Sequence, residues 1–444
     1  MQKRPDLLTG SISKNIISLA MPMVFVMILQ TLFNIADTIF VGRISAYAVA
    51  AVSMAFAVMF IIIAIGGGIG IGTSSLIARR LGAGDKRGAD LAAEHAVFLG
   101  LGISLFISVF GLALAKPLFA IMGAGPEILP LVISYIRILF MGMVFLVMGM
   151  VGVSIFQGEG DTKTPMKIMG FAVILNIILD PIFIFTLGYG VAGAAIATVL
   201  SRGIGTALIW YFLLSNRALI QFDLRSFVYD SKTLRGIISV GFPSMVMHVA
   251  MGVGMAVLMK LTSLFGPLAI AAYGIGFRIE SVAILPALGI AMAVVTIVGQ
   301  NVGAGNFDRA KKTVWNASIL AGSFALLAAI VILLFPIDTI TLFNSDPLVV
   351  EYGVSLIRIV SLSLVLAAVG IIVSNGFQGA GNGAIPLFLT IFRLFILIAP
   401  LSYLLATTFG YGVPGIWMGV AVGNIVFGIV SVVWFRLFRL QKKI

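Results

Sequence analysis

The chain has 444 residues, of which 61% are hydrophobic and only 10% charged, and its mean hydropathy is +1.18, which excludes a soluble globular protein. Its net charge of +12 is dispersed over short polar stretches rather than gathered in one basic patch, so no nucleic-acid partner is expected. The absence of cysteine excludes disulfides and thiol chemistry, and two histidines, His95 and His248, are too few for a multi-histidine metal centre.

Apolar runs of about 20 residues, the length a helix needs to cross a bilayer, recur along nearly the whole chain. The alternating ten-residue segments of a β-barrel are missing. The expected fold is therefore an all-α integral membrane protein. Twelve transmembrane helices are predicted, at 15–42, 48–78, 91–114, 127–156, 165–187, 190–214, 236–264, 269–298, 311–334, 348–377, 385–408 and 413–436. The first run is too long for a cleaved signal peptide and is taken as a retained span.

Positive charge orients the spans. Lys3, Arg4, Lys14, Arg79, Arg80, Lys86, Arg87, Lys163, Lys167, Arg217, Arg225, Lys232, Arg235, Arg309, Lys311, Lys312, Arg436, Arg439, Lys442 and Lys443 fall in the tails and the even-numbered loops, whereas the odd loops hold little beyond Arg43 and Lys116. The positive-inside rule then puts both termini in the cytoplasm of a multi-pass cell (plasma) membrane protein. The most polar stretch, 216–235, reads as a cytoplasmic linker between an N-lobe (1–215) and a C-lobe (236–444).

The two halves repeat one another. Leu81-Gly-Ala-Gly-Asp85 returns as Val302-Gly-Ala-Gly-Asn306, and Phe156-Gln-Gly-Glu-Gly-Asp161 as Phe377-Gln-Gly-Ala-Gly-Asn382. Pro22 and Pro243, Arg137 and Arg358, and Pro165 and Pro386 keep the same 221-residue offset, while Gly188-Tyr-Gly-Val191 returns one residue later as Gly410-Tyr-Gly-Val413. Six helices per half is an even number, so the repeats are parallel, and a transport cavity is expected between such halves. The Phe-Gln-Gly-x-Gly phrases read as helix ends whose glycines supply positive φ.

Polar residues break this pattern mainly in the first half. Gln30, Asn34 and Asp37 stand at i, i+4 and i+7, on one helix face, and Asn176 and Asp180 at i and i+4. Asp37 lies about 8 Å of helix rise from the outer end of its span, and Asp180 and Thr198 roughly 10 Å from theirs. These faces should turn into the bundle, because a carboxylate facing lipid costs about 3 kcal/mol even on the lenient insertion scale. Two carboxylates with amide and hydroxyl oxygens suit a proton or a hard cation such as Na⁺. At the 221-residue offset Asp37 becomes Leu258 and Asp180 becomes Leu401, so the fold manages without these acids in the second half.

Pro22 offers a bend in the first span. Arg278 and Glu280 are candidates for an internal ion pair with a structural, gating or substrate role, and His248 for a proton relay or a core residue. The 20 methionines and 33 phenylalanines suit a polyspecific apolar cavity as well as lipid-facing packing. Arg202 and Arg393 carry no assignment.

The six-helix repeats, Pro22, the placement of Asp37, the Asn176 with Asp180-Pro181 pair, Thr198 and the Gly-Ala-Gly loops together resemble the multidrug and toxic compound extrusion (MATE) transporters, over essentially the whole chain. Within that family the chain looks like the archaeal and DinF-like branch. The resemblance implies that Asp37, Asn176, Asp180 and Thr198 form the N-lobe site for the coupling cation, H⁺ or Na⁺, in an antiporter that exports amphipathic, often cationic organic compounds. The NorM branch also uses acids on helices seven and ten, where this chain has only His248, Lys260 and Asn375 at membrane depth. No cofactor and no catalytic residue is expected, and the partners are small organic substrates and lipid, with the chain acting as a monomer. A flippase for a lipid or lipid-linked precursor is the alternative. A remote third reading is an intramembrane aspartyl protease, since Gly82-Ala-Gly-Asp85 and Gly158-Glu-Gly-Asp161 match its Gly-x-Gly-Asp pattern.

Overall fold

The computed structural model describes residues 6–215, 218–223 and 227–440. Lys3, Arg4, Arg217, Arg225, Lys442 and Lys443, used above for orientation, lie outside the described residues. In a bilayer every backbone polar group must be satisfied within its own segment, and the described residues answer with helices. They are α1 (Ile12–Gly42), α2 (Ala46–Gly82), α3 (Lys86–Ile121), α4 (Leu129–Met141), α5 (Met143–Glu159), α6 (Lys163–Pro181) and α7 (Gly190–Leu214) in the first half. The second half holds α8 (Ser231–Ser263), α9 (Pro267–Gly303), α10 (Phe307–Leu334), the short α11 (Pro336–Thr341), α12 (Pro347–Val360), α13 (Ser363–Gly379), α14 (Ala384–Ile391), α15 (Ala399–Tyr403) and α16 (Val413–Leu437).

Among the described residues ten candidate spans are continuous, and two, α4 with α5 and α12 with α13, are broken by bends of 50° and 56°. Counting each bent pair as one span gives the twelve expected. These are spans four and ten, so the break itself is duplicated. Each ends in the Phe-Gln-Gly-x-Gly phrase, whose two glycines divide the work. Gly160 and Gly381 take φ of +83° and +85°, and the turn is closed by Asp161 N–H to Phe156 O (2.9 Å) and Asn382 N–H to Phe377 O (2.8 Å). Gly158 and Gly379 lie against backbone carbonyls of α2 and α9, so a Cβ there would meet Ser74 O at 3.1 Å or Val295 O at 2.7 Å.

The chain forms two compact units, one of Phe25–Met245 and one of Asp6–Val24 with the chain from Val246 onward. This differs from a division at the polar linker. The two boundaries are themselves repeat equivalents, each falling two residues after a proline, Pro22 or Pro243. Ile16, Leu19 and Ala20 of α1 pack in the second unit with Ala287, Ile290 and Val294. Ile237 of α8 packs in the first with Leu76 and Ile77. Each proline lacks the N–H that would bond the carbonyl four residues earlier, of Ser18 or Ser239, so the ladder is interrupted near the hand-over point.

The described parts of the linker lie along the first unit and are held by ionisable side chains. The backbone N–H groups of Ile220, Gln221 and Asp223 donate to Glu159, Asp90 and Glu94 at 2.6, 2.9 and 3.0 Å. Asp230 N–H donates to Nε2 of His95 at 2.9 Å, so that nitrogen is unprotonated, and Nδ1 carries the hydrogen donated to Leu91 O at 2.8 Å.

One asymmetry separates the repeats. A π-helical segment, Phe392–Ile398, follows α14, and the matching stretch of α6 is α-helical. A π-segment accommodates an inserted residue, and here it explains why the offset grows from 221 to 222. Both halves share a later π-turn, Ile182–Thr186 and Leu404–Thr408, and there the contacts match at 222. Tyr189 N–H bonds Phe183 O and Tyr411 N–H bonds Leu405 O, both at 3.1 Å. The repeat equivalent of Asp180 is therefore Ser402, not Leu401, and that of Arg202 is Asn424.

Candidate functional site: two polar centres

In the first unit Asp37 is 9% exposed, Asn176 2%, Thr198 8% and Asp180 0%. The four residues come from α1, α6 and α7. Asn176, with its amide oriented by its neighbours, donates from Nδ2 to Asp180 Oδ2 at 3.0 Å and accepts from Thr198 N–H at 3.2 Å. Asp180 is followed at once by Pro181 and the π-turn, so it stands where the regular helix ends. One oxygen of each acid, Oδ1 of Asp37 and Oδ1 of Asp180, is buried without a hydrogen-bond partner among the described residues. Buried lone pairs in apolar surroundings are costly unless a proton or cation meets them.

Two residues without a prior assignment join this centre. Arg202 lies one turn beyond Thr198 on α7, and its guanidinium sits 5.9 Å from the centroid of the Phe33 ring, one turn before Asp37 on α1. Tyr135 of α4 is 7% exposed and lies within electrostatic reach of Asp37, Asp180 and Arg202. The i, i+4 spacings Phe33 to Asp37 and Thr198 to Arg202 are visible in the sequence and would have found Arg202. Tyr135 carries no such signal.

 Leu131, Val132, Ile138 and Leu139, three and four positions from Tyr135, are all apolar, so no helical spacing marks it.

Gln30 and Asn34 bond to each other instead, Nε2 to Oδ1 at 3.3 Å, and Asn34 is exposed. Asn34 is thereby set apart from the buried Asp37, because a three-residue step on a helix rotates the side chain by about 60°.

The second unit holds its own polar centre. Arg393, on the inserted π-segment, donates from Nη2 to Asn424 Oδ1 at 2.6 Å, and Asn424 Nδ2 donates to Ser363 Oγ at 3.0 Å. The guanidinium lies 4.9 Å from the Phe427 ring centroid. Glu280 of α9 is within electrostatic reach of Arg393 and of Tyr273, whose ring stacks on Trp417 at 6.0 Å. An Arg278–Glu280 ion pair is absent among the described residues: Arg278 is exposed, and residues two apart point about 200° apart on a helix. His248 is half-buried on the part of α8 that belongs to this unit.

The aspartates of the two Gly-x-Gly-Asp phrases are engaged at helix starts. Asp85 accepts from Gly88 N–H at 2.8 Å and from Arg80, and Asp161 accepts from Thr164 N–H at 3.0 Å. They do not form a facing pair of free carboxyls.

The MatE family model matches twice, over residues 22–182 and 243–404. Those limits again differ by 221 at the start and 222 at the end. A protein of Thermotoga maritima named as a probable multidrug resistance protein NorM is 29% identical over 97% of this chain and 94% of its own length. A Shewanella oneidensis protein named as an FAD transporter is also 29% identical, over 97% and 95%. The solved structure of a multidrug resistance MATE family transporter in an outward-facing conformation is similar at 36% identity and a TM-score of 0.93, covering 98% of both chains. With two full repeats matched, this chain belongs to the MatE family of multi-pass membrane transporters.

Proposed function

We propose that the chain is a secondary active multidrug efflux antiporter, exporting amphipathic, often cationic organic compounds in exchange for H⁺ or Na⁺. The observation that carries this reading is the pair of buried carboxylates, Asp37 and Asp180, each with an oxygen lacking a donor. Such a site binds a proton or Na⁺ as transported cargo, with Asn176 orienting Asp180. Coupling requires that the cation and the organic substrate favour different conformations. Pro22, near the point where α1 passes from one unit to the other, is the bend available to that change.

The acid positions support placement in the archaeal and DinF-like branch, despite the relative named NorM. The charge distribution supports a cell membrane location with both termini cytoplasmic, and the chain acts as a monomer that moves its substrate without altering it.

The test is ethidium efflux from cells expressing Asp37→Asn or Asp180→Asn at equal protein abundance. Loss of efflux in both is expected, and normal efflux in either would sink the assignment. FAD serves as the counter-probe, because one relative is named for it: uptake of FAD but not ethidium by everted vesicles would replace the substrate class.

A further inference from the structure

We infer that Arg202 is the resident counter-ion of the Asp37–Asp180 pair and limits the site to one monovalent cation at a time. The inference rests on the proposed coupling role of the two acids and adds its stoichiometry.

Arg202 is placed to compensate charge without filling the site. Its guanidinium is held over Phe33, and its charge acts on Asp37 across the space between α7 and α1. Among the described residues no ion pair of 4 Å or less joins it to either acid, and the two Oδ1 atoms stay without a donor. A guanidinium stays protonated, so this compensation is permanent.

The ionisable groups facing one another here are Asp37 on α1, Asp180 on α6, Tyr135 on α4 and Arg202 on α7. With the phenol neutral, two carboxylates and one guanidinium leave one negative charge in excess. One H⁺ or one Na⁺ cancels it. A second would leave the low-dielectric site with an uncompensated positive charge, which is penalised in the same way. The repeat equivalent, Asn424, is neutral, so the frame does not require an arginine at this position.

The measurement is the affinity of purified protein for ethidium as a function of pH and, separately, of Na⁺ concentration. If ethidium and the coupling cation exclude one another, the limiting slope of log Kd against log cation concentration counts the cations displaced. A slope of one is expected for the unmodified chain and for Arg202→Lys. Arg202→Gln and Arg202→Met, either of which suffices if the other does not fold, should steepen it toward two. A slope of two in the unmodified chain, or of one in a folded neutral variant, overturns the inference while leaving coupling intact. A flat dependence on both cations overturns the coupling reading itself.

Discussion

The polar centres of the two units use the same kinds of side chain, an acid, an arginine over a phenylalanine ring and a tyrosine, yet they balance charge differently. In the second unit Glu280 and Arg393 cancel, and Arg393 is tied into a chain through Asn424 to Ser363. In the first, Asp37 and Asp180 outnumber Arg202, and one buried oxygen of each lacks a donor among the described residues. A charge-balanced centre holds a fold together, whereas one with an excess negative charge and open lone pairs is suited to take up a cation. The acids, arginines and tyrosines of one centre are not the repeat equivalents of those of the other, and the one shared position carries Arg202 in the first and Asn424 in the second, so the two centres use one frame with different side chains.

The largest effect that would break this contrast concerns transport. Asp180→Asn should cut coupled efflux by 100-fold or more while leaving the thermal midpoint of purified protein within a few degrees, because it removes a charge that nothing balances. A collapse of stability instead would make Asp180 structural. Asn424→Leu should do the reverse, lowering stability by about 2 kcal/mol through loss of a hydrogen bond to a buried charge, seen as a reduced thermal midpoint in detergent.

The shared frame predicts equal effects. Gly193 and Gly415 each lie against the backbone of the preceding π-turn, with a Cβ meeting Phe183 O at 2.5 Å and Ala406 N at 2.6 Å. Substituting either with alanine should cost about 1–3 kcal/mol by overpacking, and a large difference between them in thermal denaturation would show that the units are not equally packed.

The smallest effect separates Asp85 from its equivalent Asn306. Asp85 caps α3, whereas Asn306 makes no side-chain cap bond. Asp85→Ala should cost about 1 kcal/mol and Asn306→Ala less. Partial burial pushes the Asp85 carboxyl up, but the Gly88 N–H and the Arg80 guanidinium outweigh it and hold the group below its ordinary range. Its contribution is therefore full above the ordinary carboxylate pKa near 4 and is lost as pH falls through its own lower value. Denaturation in the two variants should accordingly converge in acid.

The twelve spans, their duplication and the presence of Asp37 and Asp180 inside them were legible in the sequence, because lipid demands long apolar helices and tolerates buried charge only at a cost. Glu280 was legible as an acid within a span, but its partner was not. Arg278 is near it in sequence, whereas Arg393, 113 residues later, is the one within electrostatic reach, and only the tertiary fold distinguishes them. Arg393 itself was unassigned because a lone arginine in an apolar run has no local pattern.

Hydropathy and repetition are one-dimensional properties, so the sequence alone determined how many times the chain crosses a membrane and that its halves are copies. Which oxygen finds a donor depends on distances between helices far apart in the chain. The tertiary structure therefore decided that Asn176 bridges Asp180 and Thr198, that Arg202 stands beside the acids without bonding them, and that one inserted residue moves the partner of Asp180 from Leu401 to Ser402.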